Sequence, residues 1–486
     1  MRRVPLDAVR IAFVALALGA LAATAAAQGE RVRTAPDEIA GVTFSDVPYR
    51  VESLGLSLRL PVGATVQSTS TADGVRSFLV SPETNDWLLR VLGPRVSDPT
   101  LTTQGVAESM MREVLDLEAG AELQAFGRGE LRTADGRKAI FDRVENLESG
   151  TRGLTGSRFY VRVTQPSGPD LVTGQTIFRP APGQLVILEL NCLAPELARV
   201  RPIYEAIVAE AEIRDPAALA SERAAGIAAG ETVLADLDEQ TIRSLLPIGP
   251  EWKRLYRPGP TGRWSDDEEV AYQSVEIREG HRGELATNRS KRSWSSADRE
   301  KGFVARQLAR FLDGETRVDV LSLYWQSIDG ERETWSVQMQ ITERFETVRW
   351  TETGVRQDGD IRVSIAQPDG TVTEKAWPEP PEGYLTHIEA LLLPRILADR
   401  GVEGEFAFYR YNTQRTDLSL RRDVFEATDG GWRLTTRSHE DAPEEVSELD
   451  RRGSLESQRL GEDVRAKATT QKDLLGMWRH KGLPLD

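Results

Sequence analysis

The chain has 486 residues, of which 40% are hydrophobic and 28% charged, and its formal net charge is −15. This composition is typical of a globular protein and excludes a wholly disordered chain. The acidic balance, with a pI near 5.1, disfavours nucleic acid and anionic membrane surfaces as partners. The length exceeds what one hydrophobic core usually serves, so two domains are expected.

Residues 1–27 predict a secretory signal peptide. Arg2 and Arg3 supply the positive start, residues 11–21 the apolar run, and residues 25–27 three alanines, so cleavage is expected between Ala27 and Gln28. The mature protein is therefore expected to be periplasmic or secreted. The alternative is a retained leader that acts as a membrane anchor, although its apolar segment of 17 residues is short for a span.

The single cysteine, Cys192, restricts the chemistry of an exported chain. It stands far from the cleavage site, so the protein is not expected to be a lipoprotein, and one cysteine forms no internal disulfide. Val186, Leu188 and Leu190 precede it at a spacing of two, which places the thiol on the apolar face of a strand. An inert, buried thiol is therefore predicted.

Residues 28–45 are predicted to be a flexible N-terminal segment, and residues 46–214 an α+β domain. Short alternating strands and two amphipathic helices, at 102–117 and 195–209, indicate an antiparallel sheet covered by helices. The strand at 55–61, the antiparallel middle and the closing strand and helix at 185–209 resemble the PsbP-like fold family. This resemblance implies an α/β/α sandwich and a binding or assembly role without a catalytic site, and it transfers no functional residue.

Residues 215–250 are predicted to form a helical connector, because an alanine-rich helical pattern is followed by several prolines. Residues 251–486 indicate a second domain built on a long antiparallel sheet. A packed helix is predicted at 384–397, with Pro394 as a kink or stop, and a C-terminal helix at 470–481.

Tight turns and strand alternation support the second sheet. Every second residue from Trp335 to Ile341 is apolar, as expected for a half-buried strand. Five Asp-Gly pairs, which begin at Asp313, Asp329, Asp358, Asp369 and Asp429, are candidate type I′ hairpin turns.

The four histidines form no recognisable site. His281 and His387 are interpreted as surface or capping residues, and no histidine has a partner histidine at metal-ligand spacing. His439-Glu440-Asp441 is the one local group of ligand-type side chains, and its polar surroundings favour a solvated loop. His480 lies in the predicted C-terminal helix.

Other motifs are equally weak. The consecutive acids 266–269 lack the alternate spacing of a calcium loop, and residues 127–129 lack the third glycine of a dinucleotide site. The basic stretch 289–310 also contains acids and is interpreted as a solvated, mixed-charge segment. The sequence therefore predicts no catalytic, cofactor-binding or metal-binding residue, and no cofactor.

Tryptophan is unevenly distributed, because nine of the ten lie after residue 250. An exposed aromatic row could bind a sugar or an apolar ligand, but Trp335 shares a strand face with apolar residues, which favours a packing role. The overall expectation is an exported, soluble, non-catalytic protein that binds a small ligand or an envelope protein. The alternatives are a hydrolase with Asp/Glu chemistry in the second domain, and a structural assembly factor.

Overall fold

The computed structural model describes residues 38–70, 76–96, 98, 100–114, 129–132, 137–148, 154–165, 167–235, 237–344, 346–380, 382–440, 442–461 and 463–484. The predicted signal peptide and most of the segment 28–45 lie outside these ranges. The described residues divide into two compact units, one before and one after residue 222. The predicted α+β class, with a large antiparallel sheet, is confirmed.

The N-terminal unit contains thirteen short strands and two helices among its described residues. The strands are β1 (Glu38–Ile39), β2 (Val42–Thr43), β3 (Tyr49–Val51), β4 (Leu56–Leu58), β5 (Thr65–Ser70), β6 (Arg76–Ser81), β7 (Trp87–Leu92), β8 (Gly129–Arg132), β9 (Lys138–Glu148), β10 (Thr155–Val163), β11 (Leu171–Ala181), β12 (Gln184–Leu193) and β13 (Glu212–Ile213). The helices are α1 (Thr103–Val114) and α2 (Leu197–Ala209). Eight strands form one sheet in the order β5-β6-β7-β12-β11-β10-β9-β8.

The two helices of this unit pack on opposite faces of the eight-stranded sheet. Val186, Leu188 and Leu190 of β12 share a core with α2, whereas Leu185 and Ile187 of the same strand share a core with α1. Alternate residues of a strand point to opposite faces, so a continuous apolar run serves both cores.

The C-terminal unit is dominated by one antiparallel sheet of fourteen strands. They are β14 (Glu251–Arg257), β15 (Glu268–His281), β16 (Lys301–Asp313), β17 (Thr316–Ser327), β18 (Glu333–Glu343), β19 (Glu346–Gln357), β20 (Asp360–Ala366), β21 (Val372–Pro378), β22 (Gly404–Asn412), β23 (Asp417–Ala427), β24 (Trp432–Arg437), β25 (Glu445–Leu449), β26 (Leu455–Leu460) and β27 (Val464–Thr469). Their order is β21-β20-β19-β18-β17-β16-β15-β14-β27-β26-β25-β24-β23-β22. The sheet therefore places β21 and β22, which flank one helix in the chain, at its two opposite edges.

Four helices accompany this sheet. They are α3 (Pro216–Leu234), α4 (Glu239–Leu245), α5 (His387–Arg400) and α6 (Gln471–His480). Helices α3 and α4 occupy the predicted connector region, and Ile242 and Leu245 of α4 join the core of the sheet. Helix α5 contains Pro394 within its length and ends at Gly401, which adopts a left-handed conformation with φ 59°.

One of the five Asp-Gly pairs has the backbone of a type I′ turn. Asp358 and Gly359 both have positive φ, at 56° and 78°, whereas the aspartates of the other four pairs do not. The prediction for those four pairs is wrong. In the hairpin from Asp313 to Thr316, Gly314 is the first central residue, so a single positive φ closes the turn.

Candidate functional site

The register of the large sheet defines which side chains share a face. Glu333 of β18 pairs with Gln326 of β17 and Arg356 of β19, so these residues point to the same side. This side, which we call the inner face, also carries helix α5. The same register, followed across the fourteen strands, places Lys253, Arg410 and Glu445 on the inner face as well.

The sheet is curled, because side chains join strands that are far apart in the sheet order. The hydroxyl of Tyr411 on β22 donates to Glu352 Oε2 on β19 at 2.9 Å. The rings of Trp377 on β21 and Tyr411 lie 5.8 Å apart, and Lys375 Nζ donates to the carbonyl of Thr416 at 3.2 Å. The sheet therefore curls until its two edge strands meet through side chains.

A buried contact between a glutamate and a histidine fixes the beginning of α5 to the sheet. Glu333 is fully buried, and its Oε1 lies 2.6 Å from both the backbone nitrogen and the ring Nδ1 of His387. The hydroxyl of Tyr384 donates to the other oxygen of Glu333 at 3.2 Å. The carboxylate thus also meets the positive end of the helix dipole.

A capping box strengthens the same attachment. The Thr386 side chain accepts from the Glu389 backbone nitrogen at 3.1 Å, and Glu389 Oε2 accepts from the Thr386 backbone nitrogen at 3.0 Å. Gln326 bridges these two side chains, since it donates to Glu389 at 2.9 Å and accepts from Thr386 at 2.7 Å. We call Gln326, Glu333, Tyr384, Thr386, His387 and Glu389 the helix anchor.

The helix anchor is closed to solvent. His387 is 4% exposed, and its ring stacks on Tyr324 with centroids 4.5 Å apart and lies 5.0 Å from Trp335. Its Nε2 atom is buried and has no hydrogen-bond partner among the described residues. A histidine enclosed by aromatic rings in this way holds the helix and presents no nitrogen to a substrate.

The carboxyl groups of the anchor differ in their acidity. Burial alone would raise the pKa of Glu333, but the attraction of His387 holds that pKa below its usual value. Burial raises the pKa of Glu389, which has amide and hydroxyl partners in place of a cation. Burial also raises the pKa of Glu352, despite hydrogen bonds from Trp335 and Tyr411. Glu333 therefore has the lowest pKa of these three carboxyl groups.

A second polar group lies on the inner face, on strands at the other side of the curled sheet. We call it the polar wall, and it comprises Lys253, Arg410, Arg421, Asp423, Thr436, Glu445 and Gln458. Arg421 donates to both oxygens of Asp423, at 2.7 and 2.8 Å, and the Thr436 hydroxyl donates to Asp423 Oδ1 at 2.6 Å. Gln458 links Lys253 to Glu445 through hydrogen bonds of 3.4 and 2.9 Å.

Arg410 stands apart from the other charges of the wall. It is half-buried and points to the inner face, yet no hydrogen bond or ion pair joins it to any described residue. Its electrostatic neighbours are Arg421, which repels it, Glu333 and Glu445, which attract it, and Tyr324 and Tyr384. Burial, followed by the repulsion from Arg421, lowers the pKa of Arg410. A guanidinium without a carboxylate partner is costly inside a protein.

The polar wall keeps accessible surface although it faces inwards. Lys253, Arg410, Thr436, Glu445 and Gln458 are all half-buried. Burial lowers the pKa of Lys253 and raises the pKa of Glu445, so neither charged form is fully solvated. The wall is therefore a shielded polar surface whose side chains remain partly accessible.

The structure corrects the interpretation of His387 and locates the other histidines. His387 was expected at the surface or at a cap, but it is a buried member of the helix anchor. No local pattern indicates this position, because its partner Glu333 is 54 residues away in the chain. His281 is the capping residue of a short 3₁₀ turn, and His480 ends α6 against the ring of Trp264.

The described acidic residues that the sequence offered as metal ligands form ion pairs in several cases. Arg254 bridges Asp267 and Glu269 at 2.7 and 2.8 Å, and Lys481 adds a contact of 2.9 Å to Glu269. In the His439 group, Glu440 pairs with Arg223 at 2.8 Å, while Asp441 lies outside the described residues, as do Gly127 and Arg128. In the part of the chain that the structure describes, no group of three or more His, Cys, Asp or Glu side chains is placed to hold a metal ion.

The tryptophans of the second half are mainly packing residues. Trp325, Trp335, Trp350 and Trp478 are at most 5% exposed, and of the nine only Trp264 is classed as exposed, at 46%. An exposed row of aromatic side chains was the alternative interpretation of the sequence, and these nine tryptophans do not form one. Cys192 is buried on β12, and burial raises the pKa of its thiol to about 11.

Comparison with known proteins yields partial structural similarity only. No family model matches the sequence, and no curated protein matches it. A crystal structure titled as a beta-barrel-like protein of a domain of unknown function, DUF1849, from Brucella abortus matches 46% of this chain and 97% of its own, with 12% identity and a TM-score of 0.31. The solution structure of cyanobacterial PsbP (CyanoP) from Synechocystis sp. PCC 6803 matches 39% of this chain and 98% of its own, with 16% identity and a TM-score of 0.24.

The PsbP-like resemblance predicted from the sequence thus recurs among the solved structures, for part of the chain. Among the described residues, no helix combines the length and apolar character that crossing a membrane requires.

Proposed function

We propose that this chain is an exported, non-catalytic binding protein that holds a small polar ligand on the polar wall of its second domain. The observation that carries the proposal is Arg410, an inward-facing guanidinium without a partner among the described residues, within a half-buried polar surface. Burial of such a group is unfavourable for folding alone, because no hydrogen bond offsets the free energy of its desolvation. A bound ligand that forms the missing hydrogen bonds would offset that free energy.

The lining of the wall supports a polar ligand. Its amide and hydroxyl groups offer donors and acceptors in fixed positions, since Gln458 and Thr436 are already oriented by Glu445 and Asp423. Binding sites commonly combine a rigid scaffold with a few oriented polar groups. A strongly curved sheet closed at its edges is such a scaffold.

The N-terminal unit is proposed to be a PsbP-like α/β/α sandwich spanning residues 46–214. Helices α1 and α2 on opposite faces of an antiparallel sheet support this. The signal peptide at 1–27 is proposed to deliver the protein to the periplasm or the exterior. Cell fractionation, with N-terminal sequencing of the exported form, tests this: a mature chain that begins at Gln28 is expected, and a full-length chain in the membrane would contradict it.

The two alternatives receive less support. A hydrolase with Asp/Glu chemistry commonly needs a pair of carboxyl groups that face a substrate. On the polar wall only Glu445 keeps accessible surface, because both oxygens of Asp423 accept hydrogen bonds, and Glu333 is fully buried. A structural assembly factor does not require an accessible polar surface inside the curved sheet.

Native mass spectrometry of the protein purified from its own host tests the proposed function. A small adduct that is released on unfolding is expected. Gln273 of β15 is half-buried on the inner face and pairs with Lys253, so Gln273→Trp should fill the space and abolish the adduct. Glu276→Trp, on the outer face of the same strand, is the matched control and should retain it. Absence of an adduct, or its retention in Gln273→Trp, would reject the proposal.

A further inference from the structure

The charges of the polar wall leave one cation in excess. Asp423 neutralises Arg421 through two hydrogen bonds, and Glu445 attracts Lys253 across Gln458. Arg410 forms no hydrogen bond or ion pair with a described residue, and Glu445 and Glu333 attract it only from beyond ion-pair distance. The wall as a whole is therefore complementary to a single negative charge.

The geometry around Arg410 is suited to an acid group. Arg410 pairs in register with Ser419 of β23 and lies diagonally opposite Arg421, whose own guanidinium is already occupied. A guanidinium presents a planar set of donors that matches a carboxylate through two parallel hydrogen bonds. An incoming carboxylate would pair with Arg410 and would also relieve its repulsion by Arg421.

The rest of the lining indicates what accompanies that acid group. Half-buried hydroxyl and amide side chains are found among the inward-facing residues of β15, β24 and β26, namely Gln273, Thr436 and Gln458. By contrast, Val337, Met339 and Val363 on the apolar strands are at most 5% exposed, so they are already packed. A hydrocarbon chain would find no free apolar surface there, whereas hydroxyl groups would find partners.

We propose that Arg410 binds the carboxylate of a small hydroxylated acid, such as a sugar acid, whose hydroxyl groups bind the remaining polar side chains of the wall. This inference rests on the proposed function, which it narrows to one chemical class. It assigns to Arg410 the role of setting the specificity for a negatively charged ligand.

This role separates binding from stability. A structural arginine contributes contacts to the fold, so its removal destabilises the protein. An unpartnered arginine costs desolvation, so Arg410→Met should leave the urea midpoint of unfolding unchanged or raise it. The same substitution should weaken acid binding about 30-fold or more, as expected when a shielded charge pair loses one member.

Equilibrium dialysis of the mature protein, freed of adduct by unfolding and refolding, tests the inference. The probes are gluconate, galacturonate and citrate, with glucose and galactose as neutral counterparts. At least one acid should bind more tightly than both neutral sugars, and Arg410→Met should remove that preference. The matched control is Arg433→Gln, which removes one positive charge from an exposed ion pair with Glu448, and it should bind acids as the parent protein does.

The outcomes distinguish this inference from the proposed function. If neutral sugars bind as well as acids, or if Arg410→Met retains the preference, the acid-binding role of Arg410 is overturned while binding to the wall stands. If none of the five probes binds, the acid-binding role also fails. A protein that additionally carries no adduct from its host would reject the proposed function itself.

Discussion

The two polar groups on the inner face of the large sheet differ in how completely their side chains are bonded. In the helix anchor, Glu333 and Glu389 each meet several donors, and His387 is 4% exposed. In the polar wall, Arg410 meets no partner among the described residues, and most members keep accessible surface. The helix anchor is thus a bonded, buried network that stabilises the fold, whereas the polar wall keeps one cation without a hydrogen bond on a partly accessible surface, which is where we propose that a ligand binds.

The largest expected effect is the removal of the anchoring carboxylate. Glu333→Ala leaves the His387 ring and the helix terminus without their acceptor, so it should lower the free energy of unfolding by about 3 to 5 kcal/mol. Urea titration followed by tryptophan fluorescence measures this, because nine of the ten tryptophans report on the second domain. Glu331→Ala, at an exposed position two residues earlier, should cost less than about 0.5 kcal/mol. Equal effects of the two substitutions would remove the structural role of the anchor.

A smaller loss of stability is expected where the sheet packs against the helix anchor, at Trp335 beside His387. Gly354 pairs with Trp335, and a Cβ atom added at Gly354 would overlap the indole ring. Gly354→Ala should therefore destabilise the protein by about 1 to 3 kcal/mol through forced repacking. Gly430→Ala is the control, because a Cβ there meets nothing within 4 Å and the backbone φ is not positive. A neutral Gly354→Ala would show that Trp335 is loosely packed.

The smallest effects are the opposite pH dependences of the two groups. The pKa of Glu333 is lowered in the fold, so its contribution to stability is present above its unfolded value of about 4.5 and is lost as the pH falls through the lower, folded value. The pKa of Glu445 is raised, so its contribution is full below about 4.5 and is lost as the pH rises through the higher, folded value.

Free energies of unfolding measured from about pH 3 to about pH 8 test these signs, because this range extends to both sides of the unfolded glutamate pKa of about 4.5. Above the unfolded glutamate pKa, the free energy of unfolding should decrease less steeply with rising pH in Glu445→Gln than in the parent protein. Below that pKa, it should decrease less steeply with falling pH in Glu333→Ala. Part of this decrease at higher pH should remain in Glu445→Gln, because the pKa values of Glu352 and Glu389 are also raised. A decrease at higher pH that is steeper in Glu445→Gln would contradict the assignment.

Local pattern predicted the elements that carry both groups but not the groups themselves. The alternation from Trp335 to Ile341 and the apolar spacing of the helix after Tyr384 lie in β18 and α5. That helix begins at His387 and not at residue 384, because Thr386 forms the capping box with Glu389. The contacts that matter join residues far apart in sequence, such as Lys253 and Gln458, and they depend on the curl of the sheet.

Hydrophobic pattern also hid the polar wall. Arg410, Arg421 and Lys253 lie in strands, where polar residues normally alternate with apolar ones and point to solvent. From the alternation alone, these three residues would be assigned to the solvent-facing side. Only the strand order shows that these positions point inwards. Charged residues at the core-facing positions of several neighbouring strands are the signal that sequence reasoning can use once the register is known.

The most direct test of the account compares Arg410→Met and Glu333→Ala in one experiment that measures both urea unfolding and gluconate, galacturonate and citrate binding. Arg410→Met is expected to lose acid binding at an unchanged or higher urea midpoint. Glu333→Ala is expected to lose stability but, under conditions where it is folded, to retain acid binding. If Arg410→Met unfolds at lower urea and binds acids as the parent protein does, the polar wall is a structural network and the account is contradicted.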